Sequence, residues 1–152
     1  MGDVVTMDWE GLYDKALQIA TLAHAGQYDK AGDEYILHPL RVADRCVSPK
    51  AKIVALLHDT IEDTYITEDY LRQQGLPDDI VDAVMSVTRR EGEDYGAFIR
   101  RAAANPIGRQ VKIADLEDNM DIRRLPDISD RDVLRLRKYL RAWHYLHQSR
   151  MC

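Results

Sequence analysis

Apolar residues in this chain return every three or four positions almost from end to end, and nowhere do they alternate with polar ones as a strand requires. In "WEGLYDKALQIATLAH" the stripe Leu12, Ala16, Ile19, Ala20 and Ala23 marks one buried helix face. The two glycines and the turn formers of "AGQYDKAGDE" end that helix in a polar loop. "HPLRVADRC" restarts a short helix with Pro39 near its first turn. Ser48 before Pro49 caps a helix that runs through "KAKIVALLHDTIED". Thr67 caps "EDYLRQQ", Gly75 ends it, and Pro77 opens "DDIVDAVMSVTRR". Two further helices fit "YGAFIRRAAAN" and "IGRQVKIADLEDNMDIRRL", and Ser129 with Asp132 resembles a capping box for "RDVLRLRKYLRAWHYLHQ". In that last helix Val133, Leu136, Tyr139, Leu140 and Trp143 are expected to cover the core. No linker, repeat or low-complexity tract divides the sequence. The expectation is one all-α domain over residues 1–152, a compact bundle of about eight helices.

A chain of 152 residues can bury such a core without disulfides. Cys46 and Cys152 lie far apart and form no CxxC, so neither a zinc ribbon nor a disulfide framework is suggested. The formal charge of −5 argues against a nucleic-acid partner, since phosphate neutralisation needs a basic stripe. A small anionic substrate remains open where lysines and arginines gather locally. No apolar run is long enough for a membrane span, and "MGDVVTMDWE" lacks the layout of a secretion signal. A cytoplasmic location is the default expectation.

One stretch departs from this ordinary picture. "VALLHDTIEDT", residues 54–64, sets His58, Asp59, Glu62 and Asp63 directly after an apolar run. On one continuous helix, with His58 at zero, Glu62 falls near about 40°, Asp59 near 100° and Asp63 near 140°. Ile53, Val54, Leu57 and Ile61 then fall on the opposite arc, which faces the core. Three carboxylates beside one imidazole repel each other unless a cation sits among them or water solvates them. Two other segments favour the cation. "YILHPLRVA" places His38 at a helix start, and "VKIADLEDNMD" places Asp115 and Asn119 on one helical face. His38, His58, Asp59 and Asp115 together offer two nitrogens and two oxygens. A set without thiolates suits an octahedral Mn²⁺, Fe²⁺ or similar ion better than a closed zinc site.

"AHAGQYDKAGDEYILHPLRVA", "ALLHDTIEDT" and "VKIADLEDNMD" together resemble the hydrolase domain of the Rel/Spo alarmone enzymes, closest to the small alarmone hydrolases of the HD-domain superfamily. The three ordered motifs cover residues 16–125. The resemblance implies an all-α, HD-domain-like fold and one Mn²⁺ that serves to remove the 3′-diphosphate of (p)ppGpp, giving GDP or GTP and pyrophosphate. It implies His38, His58, Asp59 and Asp115 as metal ligands, with Glu62 and Asp63 positioning or deprotonating the attacking water. It also implies Asn119, Lys30 and Tyr35 as nucleotide contacts.

Two positions depart from the family pattern. Asp29 stands where members commonly carry an arginine against the base, and Asp118 where His or Tyr is frequent. Both put guanine preference in doubt, so (p)ppApp, NADPH or another nucleotide is an alternative substrate, and a non-catalytic alarmone- or partner-binding protein is an alternative of another class. A chain ending at 152 leaves no room for a synthetase domain, so degradation without synthesis is expected. His24, at a helix end, reads as structural, and His144 with His147 as an exposed polar face. For Arg89, Arg90 and Arg123 a 5′-phosphate contact and solvated surface stay equally open.

Overall fold

The structure is a computed structural model and describes residues 7–148. Residues 1–6 and Cys152, on which the expectations about a leader and a second cysteine bear, lie outside the described residues. The described residues form α1 (Trp9–Ala23), α2 (Leu37–Arg45), α3 (Pro49–Leu57), the single turn α4 (Thr60–Asp63), α5 (Glu68–Gln73), α6 (Asp78–Ser86), α7 (Tyr95–Ala104), α8 (Pro106–Asn119) and α9 (Asp130–Gln148). A 3₁₀ turn, Ile122–Arg124, links α8 to α9. The all-α expectation holds: among the described residues the only β pairing is an isolated Tyr28–Glu34 bridge in the α1–α2 loop. No described helix is long and apolar enough to cross a membrane.

Local chemistry sets the helix starts. Ser48 Oγ accepts from Ala51 N at 3.1 Å, Thr67 Oγ1 from Tyr70 N at 3.1 Å and Asn105 Oδ1 from Gly108 N at 2.9 Å. At α9 the capping box is reciprocal: Asp132 N donates to Ser129 Oγ at 3.1 Å and Ser129 N to Asp132 Oδ2 at 3.0 Å. Gly75, with φ +85°, ends α5 in the left-handed conformation that a side chain would resist.

α3 is the central helix, packed by α1, α2, α6 and α8. Lys50 and Lys52 reach solvent from its first half, but Ile53, Val54, Ala55, Leu56 and Leu57 are all buried, so its second half has no polar face. This corrects the expectation of one amphipathic helix running to Asp63. The helix stops at Leu57, and Asp59 (φ −104°, ψ −1°) separates it from α4. The cause is competition for carbonyls: His58 Nδ1 donates to Ala55 O at 2.6 Å and Thr60 Oγ1 to Leu57 O at 2.8 Å. His58, Asp59, Glu62 and Asp63 therefore straddle a break and do not share one arc of a continuous helix.

The register of α9 also differs from expectation. Ala142 and Leu146 are buried, with Tyr139 and Trp143 half-buried against α7 and α8, whereas Val133 and Leu140 are exposed and Leu136 is half-buried.

Candidate active site

Three ends meet at the top of α3. His58 closes α3, His38 sits in the first turn of α2, and Asp115 lies on the last half of α8. One donor atom from each of His38, His58 and Asp115 lies within 4.8 Å of the others, and all three residues are buried. His38 Nε2 is 2.9 Å and His58 Nε2 3.2 Å from Asp115 Oδ1. Asp59 stands beside them, its Oδ2 3.0 Å from His58 Nε2 and 3.6 Å from His38 Nε2, while accepting a hydrogen bond from the Tyr35 hydroxyl.

Both imidazoles are held from behind. A carbonyl can only accept, so Ala55 O fixes the proton of His58 on Nδ1 and leaves Nε2 facing Asp59 and Asp115. Asp118 Oδ2 does the same for His38, accepting from Nδ1 at 2.7 Å. Asp118 is itself buried and gripped by Arg41, whose Nε reaches Oδ1 at 2.8 Å and whose Nη2 reaches Oδ2 at 3.1 Å. Each inward Nε2 then carries either a second proton or a bond to a cation. Two imidazolium rings with centroids 5.1 Å apart in a buried site repel, and one divalent ion replaces both protons. The residues present fit such an ion.

The electrostatics follow from this crowding. Burial alone would lower both histidine pKa values, but the carboxylates outweigh it: Asp115 and Asp118 hold His38 up, and Asp59 and Asp115 hold His58 well up. Burial would raise Asp115, yet Lys112 and then the two imidazoles keep it well below the carboxylate range. The Lys112 ammonium, buried under Phe98, is 2.8 Å from Asp115 Oδ2. Asn119 Nδ2 donates to Asp115 Oδ1 at 3.1 Å, so this amide braces the carboxylate.

His38, Asp59, Lys112, Asp115 and Asn119 line one cleft of about 750 Å³, as do Glu62, Asp63, Lys30 and Tyr35, with His58 buried beneath it. The Glu62 and Asp63 carboxyls are raised, first by partial burial and then by Asp59, with Asp63 adding to this for Glu62 and Asp115 for Asp63; the Arg89 N–H, donating to Glu62 Oε1 at 2.6 Å, offsets part of it for Glu62. Lys30 reaches across the cleft mouth to Asp132 Oδ1 at 3.0 Å. Asp29 Oδ1 accepts from Ala31 N and Asp33 N, both at 2.9 Å, and so shapes the loop. Of the three open arginines only Arg89 lines the cleft; Arg90 N bonds Glu93, and exposed Arg123 pairs with Asp121 at 2.8 Å. His24 is buried with Nδ1 2.8 Å from Gln27 Oε1, and His147 Nδ1 donates to Trp143 O.

No family model matches the chain. Curated relatives do. The chain is 34% identical over 116 residues to a guanosine-3′,5′-bis(diphosphate) 3′-pyrophosphohydrolase of Haemophilus influenzae, which covers 67% of this chain and 17% of the relative. It is 34% identical over 121 residues to the bifunctional (p)ppGpp synthase/hydrolase RelA of Mycobacterium tuberculosis (72% and 16%) and 35% identical over 119 residues to a GTP pyrophosphokinase of Streptomyces coelicolor (70% and 14%). The matched region thus spans about a sixth of each relative's length. A solved structure described as a metazoan ortholog of SpoT that hydrolyses ppGpp superposes with a TM-score of 0.73 at 18% identity, over 97% of this chain and 89% of that one, and so shares its fold. The chain carries a Rel/Spo hydrolase-like domain.

Within this Rel/Spo-like cleft the sequence reading missed several groups. Lys112 was visible as the lysine three residues before Asp115, the spacing that puts both on one helix face. Asp118, noted only as a departure, turns out to lie behind His38, a pairing across 80 residues that no local pattern signals. Arg135, Lys138 and Tyr139 reach the cleft from α9, well beyond the three motifs, and Arg124 from the 3₁₀ turn just after the last of them.

Proposed function

We propose that this domain hydrolyses the 3′-diphosphate of (p)ppGpp to GDP or GTP and pyrophosphate, using one divalent ion, Mn²⁺, held by His38, His58, Asp59 and Asp115. The observation that carries the reading is the meeting of His38, His58 and Asp115 donors within 4.8 Å, with His38 and Asp115 lining a cleft that Glu62 and Asp63 also line. A bound ion of this kind lowers the pKa of a water and offsets developing phosphoryl charge.

The chain's own groups do the rest. Glu62 and Asp63, whose carboxyls are raised by partial burial and by Asp59, orient the attacking water and take its proton. The water oxygen bonds to the phosphorus attached to O3′, the P–O3′ bond breaks, and a proton ends on O3′. Lys112 and Asn119 keep Asp115 ionised and oriented, and Tyr35 does the same for Asp59. Arg89, Arg124, Arg135 and Lys138 supply positive charge to the diphosphates, while Lys30 and Tyr35 border the nucleotide.

Asp29 favours a second reading with the same chemistry on adenosine alarmones, because its carboxylate is spent on the loop where a base-contacting arginine would stand. Purified protein with Mn²⁺, offered ppGpp, pppGpp and their adenosine counterparts, separates the two by product analysis. Release of pyrophosphate and GDP from ppGpp supports the first reading. Turnover confined to the adenosine compounds supports the second, and four intact substrates refute both.

A further inference from the structure

A second cavity lies between α7 and α9, a groove of about 490 Å³. Arg100 from α7 and Arg137, Lys138 and Arg141 from α9 line it, over a floor that includes Ile99 and Ala142, and no carboxylate is among the lining residues. Its size falls in the range of small-molecule sites. Tyr95 and Lys138 also line the catalytic cleft, so the groove stands on the far side of that wall.

The cations of this groove are treated unlike others in the chain. Arg41, Arg72, Arg101, Arg123 and Arg124 all hold carboxylates, whereas Arg100, Arg137 and Arg141 make no ion pair or hydrogen bond among the described residues. Lys138 meets only rings, with Nζ 4.4 Å from the Tyr95 centroid. Arg141 lies one turn beyond both Arg137 (i,i+4) and Lys138 (i,i+3) on α9, an arrangement of like charges that opposes the helix. Arg100 is folded back over Gly96, where a Cβ would come within 3.3 Å of its Nη1. A chain with 26 acidic residues places none of them along this groove. Beside the cations lie Tyr145, 40% exposed, and Leu134, 64% exposed.

Unpaired guanidinium groups select an anion with phosphate geometry, and an exposed ring and aliphatic floor select a planar apolar body. The volume suits a small molecule, and the net charge of −5 opposes a polyanionic surface. We propose that the α7–α9 groove is a second, non-catalytic nucleotide site that takes a nucleoside diphosphate, with Arg100, Arg137 and Arg141 on the phosphates and Tyr145 on the base. This does not rest on hydrolysis in the cleft.

The test is residue-resolved NMR of the full chain in the presence of Mg²⁺, titrated with GDP and separately with inorganic pyrophosphate. GDP is expected to shift the amides of Gly96, Arg100, Arg141 and Tyr145 with a midpoint distinct from that of the cleft residues. Arg100→Glu with Arg141→Glu should weaken the groove set by about tenfold or more and leave the cleft set unchanged. Tyr145→Ala should weaken GDP there and spare pyrophosphate; both variants alter exposed positions, and their spectra report folding directly. Silence of the groove amides at saturating GDP overturns the proposal, as does equal affinity in the charge-reversed protein. Pyrophosphate binding as tightly as GDP overturns the nucleotide assignment. Concentration-dependent broadening of these amides without ligand would make the groove a contact between copies of the chain and also overturn it.

Discussion

Replacing Asp118 with Asn tests whether the group behind His38 matters to the site. The side chain keeps its shape, but one oxygen becomes an N–H donor. Oδ2 receives His38 Nδ1 at 2.7 Å and Arg41 Nη2 at 3.1 Å, and Oδ1 receives Arg41 Nε at 2.8 Å, so the new amide must face at least one donor. Asp118 is buried, and its carboxyl lies at about 2: burial would raise it, but His38 and Arg41 outweigh that. Losing one charge-assisted bond there costs about 1.5–3 kcal/mol of unfolding free energy. The Arg41 side chain is 30% exposed, so water recovers part of its share. His38 is left with at best a neutral amide oxygen in place of the carboxylate that holds its Nδ1 proton, which should weaken the divalent ion by about 10–100-fold. Urea unfolding and calorimetric Mn²⁺ titration of one preparation measure both effects. Mn²⁺ affinity within about twofold of wild type would refute the link between Asp118 and the ion, even if stability fell.

Other outcomes follow from the same geometry. A general base acts ionised, and the Glu62 carboxyl is raised, so kcat/KM should fall as pH drops through a value above the ordinary glutamate range; Glu62→Gln should cost about 10²–10⁴ in rate and remove that limb from the pH profile. Leu57→Ala, at the buried end of α3, should cost about 2–5 kcal/mol by urea unfolding. Ser129→Ala breaks the reciprocal cap of α9 and should cost about 0.5–2 kcal/mol, read by thermal denaturation.

Helix starts were readable because their determinants are local: Ser48, Thr67 and Ser129 cap the segments that follow them within three residues. The convergence of His38, His58 and Asp115 was readable because their motifs are short and ordered along the chain. The break at His58 was not, since a helical wheel assumes continuity and the deciding bonds run from side chains to the Ala55 and Leu57 carbonyls. The α9 register was not either: Val133 and Leu140 satisfy an amphipathic pattern as well as Ala142 and Leu146 do, and only packing on α7 and α8 chooses between them. The Asp118–Arg41–His38 group depends on α2 meeting α8.

Crystals grown with Mn²⁺ and measured at its absorption edge test the central claim most directly. One anomalous peak per chain is expected within coordinating distance of His38 Nε2, His58 Nε2 and carboxylate oxygens of Asp59 and Asp115, and none in a His58→Ala crystal. A protein that turns over its substrate while the ion binds elsewhere, or while those four side chains hold none, would contradict the account.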